Sequence, residues 1–264
     1  MHYTLKYFRF VVLLLSVLIW YGCYEDIEGC TDPLAENYRF NADVRCKDCC
    51  RYPELLVTLT HKWGDDIFQN NKQYINNVNN AFVINSHKFF LANINIYNAN
   101  NIKIDNKALK AYNINNQEAN IVQDFCLING TLSDCRSGSY KHIGPLSSLT
   151  FNIALPTQLN SVDSISVSRD QNLSWNEGMY RDRIYQGIFL NITSVKNQSN
   201  YSLFLRFEDI ISIDLDDFVH TAQGKTIVIP IVLDYEILFK DMDFTQTENV
   251  KLKLAENIKI AFRN

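Results

Sequence analysis

From Pro53 onward, hydrophobic and polar residues alternate along the chain with a period of two. Several segments alternate strictly, as in Ile165-Ser-Val167, and residues such as Asn, Asp, Gly and Pro separate them. This alternation is typical of strands that bury one face. The pattern therefore predicts an all-β protein built as an antiparallel β-sandwich. The predicted strands are Leu55–Thr60, Phe89–Tyr97, Leu149–Leu155, Val162–Val167, Ile188–Val195, Tyr201–Phe207 and Thr226–Phe239.

The C-terminal part departs from simple alternation at two places. Pro230 interrupts the strongest β-type segment, which indicates an edge position, a bulge or a break into two strands. From Thr247 the period changes to that of a helix, and Thr247 itself is a suitable N-cap residue. We therefore predict one C-terminal amphipathic helix of about four turns. Its apolar positions recur every four residues at Val250, Leu254, Ile258 and Phe262.

The first residues have the features of an export signal. Lys6 and Arg9 precede the apolar segment Phe10–Tyr21, which is shorter than an ordinary membrane-spanning helix and ends at Gly22-Cys23. Because lipid attachment requires a thiol at the first residue after cleavage, we predict a lipoprotein signal peptide over residues 1–22 and lipidation of Cys23. Tyr21 stands where a small residue is usual, so simple secretion and an uncleaved anchor stay open as alternatives.

An acylated Cys23 would tether the protein to a membrane without a spanning helix. The acidic residues Glu25, Asp26 and Glu28 follow the predicted anchor. They resemble the export tags of some bacterial lipoproteins on the outer surface, although a solvated tether explains them equally well. The predicted location is therefore the outer membrane or cell surface of a bacterium, with a periplasm-facing position as the alternative.

Six cysteines remain after Cys23 is set aside. An even number in an exported chain predicts disulfide bonds, with one hairpin-like bridge between Cys126 and Cys135. Two further bridges are expected within the N-terminal cluster, whose pairing the sequence does not define. A structural zinc site is the alternative for that cluster. The cluster consists of Cys30, Cys46, Cys49 and Cys50.

Composition and charge divide the chain into a short N-terminal segment and one large domain. Residues 23–53 contain few apolar residues, and their sequence resembles a short cysteine motif of bacterial surface proteins that serves as a spacer or stalk. Residues 54–264 are long enough for one β-sandwich domain. The net charge of −4 and the absence of a basic stripe argue against nucleic acid as a partner. No nucleophile elbow, phosphate loop or zinc-protease motif is present, so we expect no enzyme activity.

Four phrases in the predicted sandwich domain resemble, in order and spacing, the MbnP-like family of copper-associated exported proteins. The resemblance covers the chain from about Leu55 onward, and each phrase is short. The phrases are Leu59-Thr-His61-Lys-Trp63, Lys88-Phe-Phe-Leu-Ala-Asn-Ile94-Asn-Ile-Tyr97, Ser174-Trp175-Asn176-Glu-Gly178-Met179-Tyr180 and Leu254-Ala-Glu-Asn257-Ile-Lys-Ile-Ala261-Phe262.

The resemblance implies a β-sandwich that binds copper through histidines outside the cytoplasm, with an oxidised tryptophan near the metal in some members. The matching ligand positions are His61 and His87, with Trp63 close to the first. Imidazole is a suitable copper ligand. The chain departs from the pattern before the last helix, where residues 243–249 offer neither His nor Met.

Simpler interpretations stand beside this one. His61 would cap the end of a strand, and His87, between Ser86 and Lys88, would be exposed. His142 and His220 have no second histidine at ligand spacing.

The rival function is a surface module that binds a glycan or a protein without metal. In that case Trp175, and also Trp63, are the candidate stacking residues. A third hypothesis is an interaction subunit with no ligand of its own.

Overall fold

The computed structural model describes residues 25–115, 117–130, 134–167 and 172–264, apart from the side chain of Trp175. The described chain is mainly β, with 48% strand and 11% helix. Its strands are β1 (Glu28–Gly29), β2 (Val44–Arg45), β3 (Glu54–Trp63), β4 (Asp66–Ile67), β5 (Gln73–Ile75), β6 (Ala81–Asn98), β7 (Leu109–Ile114), β8 (Gln117–Val122), β9 (Cys126–Asn129), β10 (Asp134–Ser139), β11 (Gly144–Ile153), β12 (Tyr180–Arg181), β13 (Ile184–Tyr185), β14 (Ile188–Ser194), β15 (Asn200–Leu205), β16 (Phe207–Asp214), β17 (Val219–His220), β18 (Ile227–Asp234) and β19 (Phe262–Arg263).

Two curled sheets form the sandwich. One has the order β10-β3-β18-β19, with β4 paired to β3; the other has the order β15-β14-β6-β11-β16, with β5, β9 and β17 attached. Strand pairs in both sheets are antiparallel except β3 with β18, which run parallel. The predicted all-β sandwich is thus confirmed, and one parallel pair is added to it.

The core lies between the sheets and follows from the period-two pattern. Alternate residues of β3 are buried at Leu55, Val57 and Leu59, and β18 does the same from Ile227 to Leu233. Successive side chains of a strand point to opposite faces, so these residues share the inner face. They pack in one cluster with buried residues of β6, β11 and β14.

Pro230 lies where its strand is paired on one side only. On one side β18 pairs with β3 along its whole length, with Pro230 opposite Thr58. On the other side β19 pairs only with Val232 and Leu233. Pro230 therefore removes no ladder hydrogen bond on the β19 side, and the prediction of an edge position agrees with this arrangement.

The strand predicted at Thr226–Phe239 ends earlier than expected, since a short helix α1 covers Tyr235–Leu238. Asp234 terminates the strand and caps that helix, because its carboxylate accepts the backbone N–H of Glu236. The prediction of a strand at Val162–Val167 is wrong. That segment forms a turn, and Ile165 is 79% exposed.

The predicted C-terminal helix is present as α2 (Thr247–Ala261). Val250, Leu254 and Ile258 are buried against the core, as their four-residue spacing predicts. The N-cap position falls on Gln246 instead of Thr247, and it makes no side-chain capping bond. The helix also buries Asn257, whose amide donates to the carbonyl oxygens of Leu238 and Lys240.

The N-terminal segment is crosslinked and docked on the sandwich. Cys30 pairs with Cys50 and Cys46 with Cys49, so all four thiols of the cluster are engaged in disulfides, which does not support the zinc alternative. Asp32 accepts a hydrogen bond from Tyr52 at 2.8 Å and forms an ion pair with Lys141 of the sandwich at 2.6 Å.

The backbone N–H of Tyr140 donates to the carbonyl of Pro53 at 2.8 Å. Together with the Lys141–Asp32 ion pair, this bond places the N-terminal segment next to the start of β3.

The bridge between Cys126 and Cys135 is present and joins β9 of one sheet to β10 of the other. Replacing both cysteines by Ala is expected to lower the free energy of unfolding by about 3 kcal/mol, because the crosslink restricts the unfolded chain. Urea denaturation of the oxidised wild type and the double variant measures this difference. Equal unfolding free energies would show that the bridge has no stabilising role.

Candidate functional site

His61 lies near the end of β3 with its ring turned into the sandwich. It follows Leu55, Val57 and Leu59 on the same face of the strand, which explains its partial burial. Its Nδ1 atom lies 2.9 Å from the hydroxyl of Tyr235. His61 is therefore part of the interior and does more than cap the strand end.

His87 is buried, and the prediction that it would be exposed is wrong. It is 1% exposed, although it lies between Ser86 and Lys88. The reason is a β-bulge in β6: Asn191 and Ile192 of β14 pair with Ser86 and Ile84, which leaves Asn85 as an extra residue. Before the bulge the even-numbered residues of β6 face inward, and after it His87 does.

Polar contacts hold the bulge in place. The Asn85 amide donates to the side-chain oxygens of Asn191 and Thr193, each at 2.8 Å. These bonds satisfy the side chain of the inserted residue on the outer side of the strand pair. The inward direction of His87 thus depends on a residue that has no place in the period-two pattern.

The two histidines meet inside the sandwich. Their ring centroids are 5.3 Å apart, with the planes at 53°. The ring of Tyr235 lies 5.7 Å from that of His61 and 5.3 Å from that of His87. Phe68 and Phe89 complete the aromatic surroundings. The resemblance named His61 and His87 as one pair, and the fold brings them together from two sheets.

Each ring has one nitrogen engaged and one nitrogen free. Nδ1 of His87 lies 3.2 Å from the side-chain oxygen of Asn70, and Nδ1 of His61 contacts the Tyr235 hydroxyl. Both Nε2 atoms are buried without a hydrogen-bond partner. Asn70 accepts, so the His87 proton belongs on Nδ1 and the lone pair on Nε2. Such an outer contact on the second ring nitrogen is usual for metal-binding histidines.

Both imidazoles are neutral at physiological pH. Burial lowers the pKa of His61 to about 4. Burial, together with the nearby His61, lowers the pKa of His87 to about 3. Removal from water disfavours the charged ring, and a second cation nearby would add repulsion. The pair is thus available as two uncharged nitrogen donors over a wide range of pH.

A surface groove borders the pair on the side of His61. A surface groove of about 520 Å³ is bordered by His61, Phe68, Asn70 and Gly130. On the inner side His87 and Tyr235 border a much smaller apolar cavity of about 10 Å³. The groove therefore borders the His61 ring, whose Nε2 atom is itself buried.

Trp63 lies on the same strand as His61 but contacts other rings. It stacks on Tyr74 at 4.4 Å and also contacts Phe82 at 5.8 Å. Tyr74 stacks in turn on Phe68, which contacts His87. Trp63 is thus linked to the histidine pair through two intervening rings.

Tyr235 is the part of the site that the sequence analysis missed. It is fully buried, and burial raises its pKa well above the ordinary value. Tyr235 directly follows a strongly hydrophobic strand, which indicates burial. Nothing in the sequence pattern indicates its contact with His61. Only the parallel pairing of β3 with β18, which sets Leu233 opposite His61, brings the hydroxyl into reach.

The other predicted site residues are placed as follows. Trp175 begins a short 3₁₀ turn, Trp175–Glu177, and its side chain lies outside the described part. The turn is attached to β6 because Glu177 pairs with Lys88 at 2.9 Å. Cys23 and the predicted signal peptide fall within residues 1–24, which the structure does not describe. Among the described helices, none has the length and apolar character needed to cross a membrane.

Comparison with known proteins gives one structural likeness. Neither a protein-family model nor a curated protein matches the chain. The solved structure of MbnP from Methylosinus trichosporium is similar at 10% sequence identity and a TM-score of 0.44, over 73% of this chain and 79% of that chain. A likeness of this strength does not decide the function of the chain.

Proposed function

We propose that this protein is an exported, lipid-anchored protein that binds copper through His61 and His87. The observation that carries the proposal is that two imidazole rings lie next to each other in one aromatic pocket and that the Nε2 atom of each is buried, with no hydrogen-bond partner among the described residues. Buried polar atoms are normally hydrogen-bonded, and each unsatisfied one costs stability. Two such atoms on neighbouring rings have a physical reason if both donate to a ligand.

Copper suits this donor set for chemical reasons. Imidazole binds copper well, and copper stands at the top of the divalent affinity series. In the described chain the only convergent group of three or more His, Cys, Asp or Glu ligand atoms is among the disulfide cysteines, so the pair has no described carboxylate or thiolate in support. Two neutral donors in an apolar pocket favour the monovalent ion, which tolerates few ligands. Copper is also the metal that the family resemblance implies.

Export and anchoring are supported by different features. The basic residues, the apolar segment and Cys23 are those of a lipoprotein signal. Three disulfides in the described chain fit an oxidising compartment. The N-terminal segment docks at the start of β3, and His61 is seven residues further along that strand, roughly 23 Å away. The groove beside His61 would then lie toward the end of the sandwich remote from the anchor.

Anaerobic titration of Cu(I) against a coloured competing chelator tests the copper proposal. We expect the wild type to bind with a sub-micromolar Kd and the His61→Ala variant to bind at least about tenfold more weakly, since loss of a single outer contact already costs 10–100-fold. Thr60→Ala is the matched control, because Thr60 is the adjacent residue of β3 with an exposed side chain. Absence of copper binding by the wild type, or equal binding by His61→Ala, would contradict the proposal.

A further inference from the structure

A second pair of histidines, His142 and His220, lies where β11 begins. Gly144 of β11 lies directly opposite His220 of β17 in the antiparallel ladder. Nε2 of His142 lies 4.0 Å from the position that a Cβ atom at Gly144 would occupy. Cross-strand partners have Cβ positions about 5 Å apart on one face of the sheet. The ring of His142 therefore lies beside the side chain of His220.

This pair has the same unusual hydrogen bonding as the first. His220 is 7% exposed, and the Nε2 atoms of His142 and His220 are both buried without a partner. The glycine at position 144 has a φ of 116°, and it leaves the space beside His220 open for the His142 ring. Among the described residues, no hydrogen bond uses the Nε2 atom of either ring.

The surroundings keep both rings neutral and oriented. Burial lowers the pKa of His220, and the nearby His142 lowers it further; burial likewise lowers the pKa of His142. Backbone groups act in the opposite direction: those of Gly144 and Pro145 raise the pKa of His142, and those of Ala222 and Lys225 raise the pKa of His220. Burial outweighs them in both cases.

We propose that His142 and His220 form a second metal site, which takes a borderline transition-metal ion such as Zn²⁺ through their Nε2 atoms. The two Nε2 atoms are shielded from solvent, and water would complete the coordination shell of a bound ion from the partly exposed side of His142. The site is independent of the His61–His87 pair, since it uses other strands. It adjoins the docked N-terminal segment: Lys141 pairs with Asp32, and Gly224, in the loop after β17, packs against the carbonyl of Ala35.

Zinc titration of the full chain without an affinity tag tests this site, with the His87→Leu substitution present to remove the first pair. We expect calorimetry to show one bound Zn²⁺ per chain. Adding either His142→Gln or His220→Gln should weaken binding at least about tenfold. Val219→Thr is the matched control, because Val219 is the exposed neighbour of His220 on the same strand and should leave binding unchanged.

Ring-nitrogen NMR of histidine-labelled protein supplies a readout that does not depend on a variant. Zinc should shift the Nε2 resonances of two histidines. His142→Gln also guards against misfolding, since His142 lies outside the strands. Absence of zinc heat in the His87→Leu protein, or zinc binding that persists in both Gln variants, would overturn the proposal.

Discussion

Replacing His87 by Leu is expected to abolish tight copper binding and, at the same time, to stabilise the metal-free protein. Copper loses one of two donors, so its affinity should fall by more than about a hundredfold, beyond the usual cost of a lost outer contact. Stability should rise by about 1 kcal/mol, because removal of a buried nitrogen without a partner, with apolar surface in its place, outweighs loss of the hydrogen bond to the partly exposed Asn70. The small cavity beside His87 leaves room for the leucine side chain.

Phe89→Leu is the control, since it should keep copper binding and lower the stability. Phe89 follows His87 on the same inward face of β6 and is also buried, but it has no donor atom. This variant should retain copper binding within a few-fold and lose about 1–3 kcal/mol of stability, since it leaves a void in the core. Copper titration and urea denaturation of the three proteins give both quantities. A less stable His87→Leu protein would mean that the histidine serves the core and not a ligand.

Most of the fold could be predicted from the sequence because local patterns determine it. The period-two pattern in strands such as Glu54–Trp63 and the four-residue spacing in Thr247–Ala261 both indicate which face is buried. The segment Val162–Val167 shows the limit of that reasoning. Ile165-Ser-Val167 alternates as in a strand, but turn hydrogen bonds determine the structure of the segment: the backbone N–H of Ile165 donates to the Asp163 carboxylate, and that of Ser166 donates to the Asp163 carbonyl.

The site was only partly accessible, because its geometry depends on long-range pairing. The family resemblance indicated His61 and His87, but no periodicity places His87 inside. The bulge at Asn85 shifts the inward-facing positions of β6 by one residue, so that His87, Phe89 and Leu91 face the core until a second irregularity near Asn93 restores the even-numbered positions. Tyr235, together with the His142–His220 pair, depends on pairings between strands that are distant in the sequence.

Lowering the pH from 7 to 5 is expected to destabilise the metal-free wild type more than the His87→Leu protein. The folded-state pKa values of about 4 for His61 and about 3 for His87 lie below the ordinary value near 6.5. The unfolded chain therefore takes up protons first as the pH falls through 6.5, and stability decreases with it until the folded pKa is reached. Above about pH 7 both states hold neutral rings, so neither histidine contributes to the pH dependence there.

The size of the effect follows from the distance between pH 5 and the unfolded pKa. Each histidine should account for up to about 1.8 kcal/mol between pH 7 and 5, and the pair for up to about 3.5 kcal/mol. His87→Leu removes the contribution of one histidine. Between pH 7 and 5 this variant should therefore lose less stability than the wild type, by up to about 1.8 kcal/mol. Tyr235, the other titratable group that contacts both rings, stays protonated throughout, since its pKa is raised.

Urea denaturation at the two pH values, with a chelator present, measures these differences. The carboxylates and the buried His142 and His220 titrate in both proteins, so the comparison between wild type and variant isolates His87. Equal losses in the two proteins would show that His87 is protonated in the folded state at pH 5. A protonated ring has no free lone pair on either nitrogen, and copper binding at pH 5 would then have to compete with protons, contrary to the buried, neutral donor pair argued above.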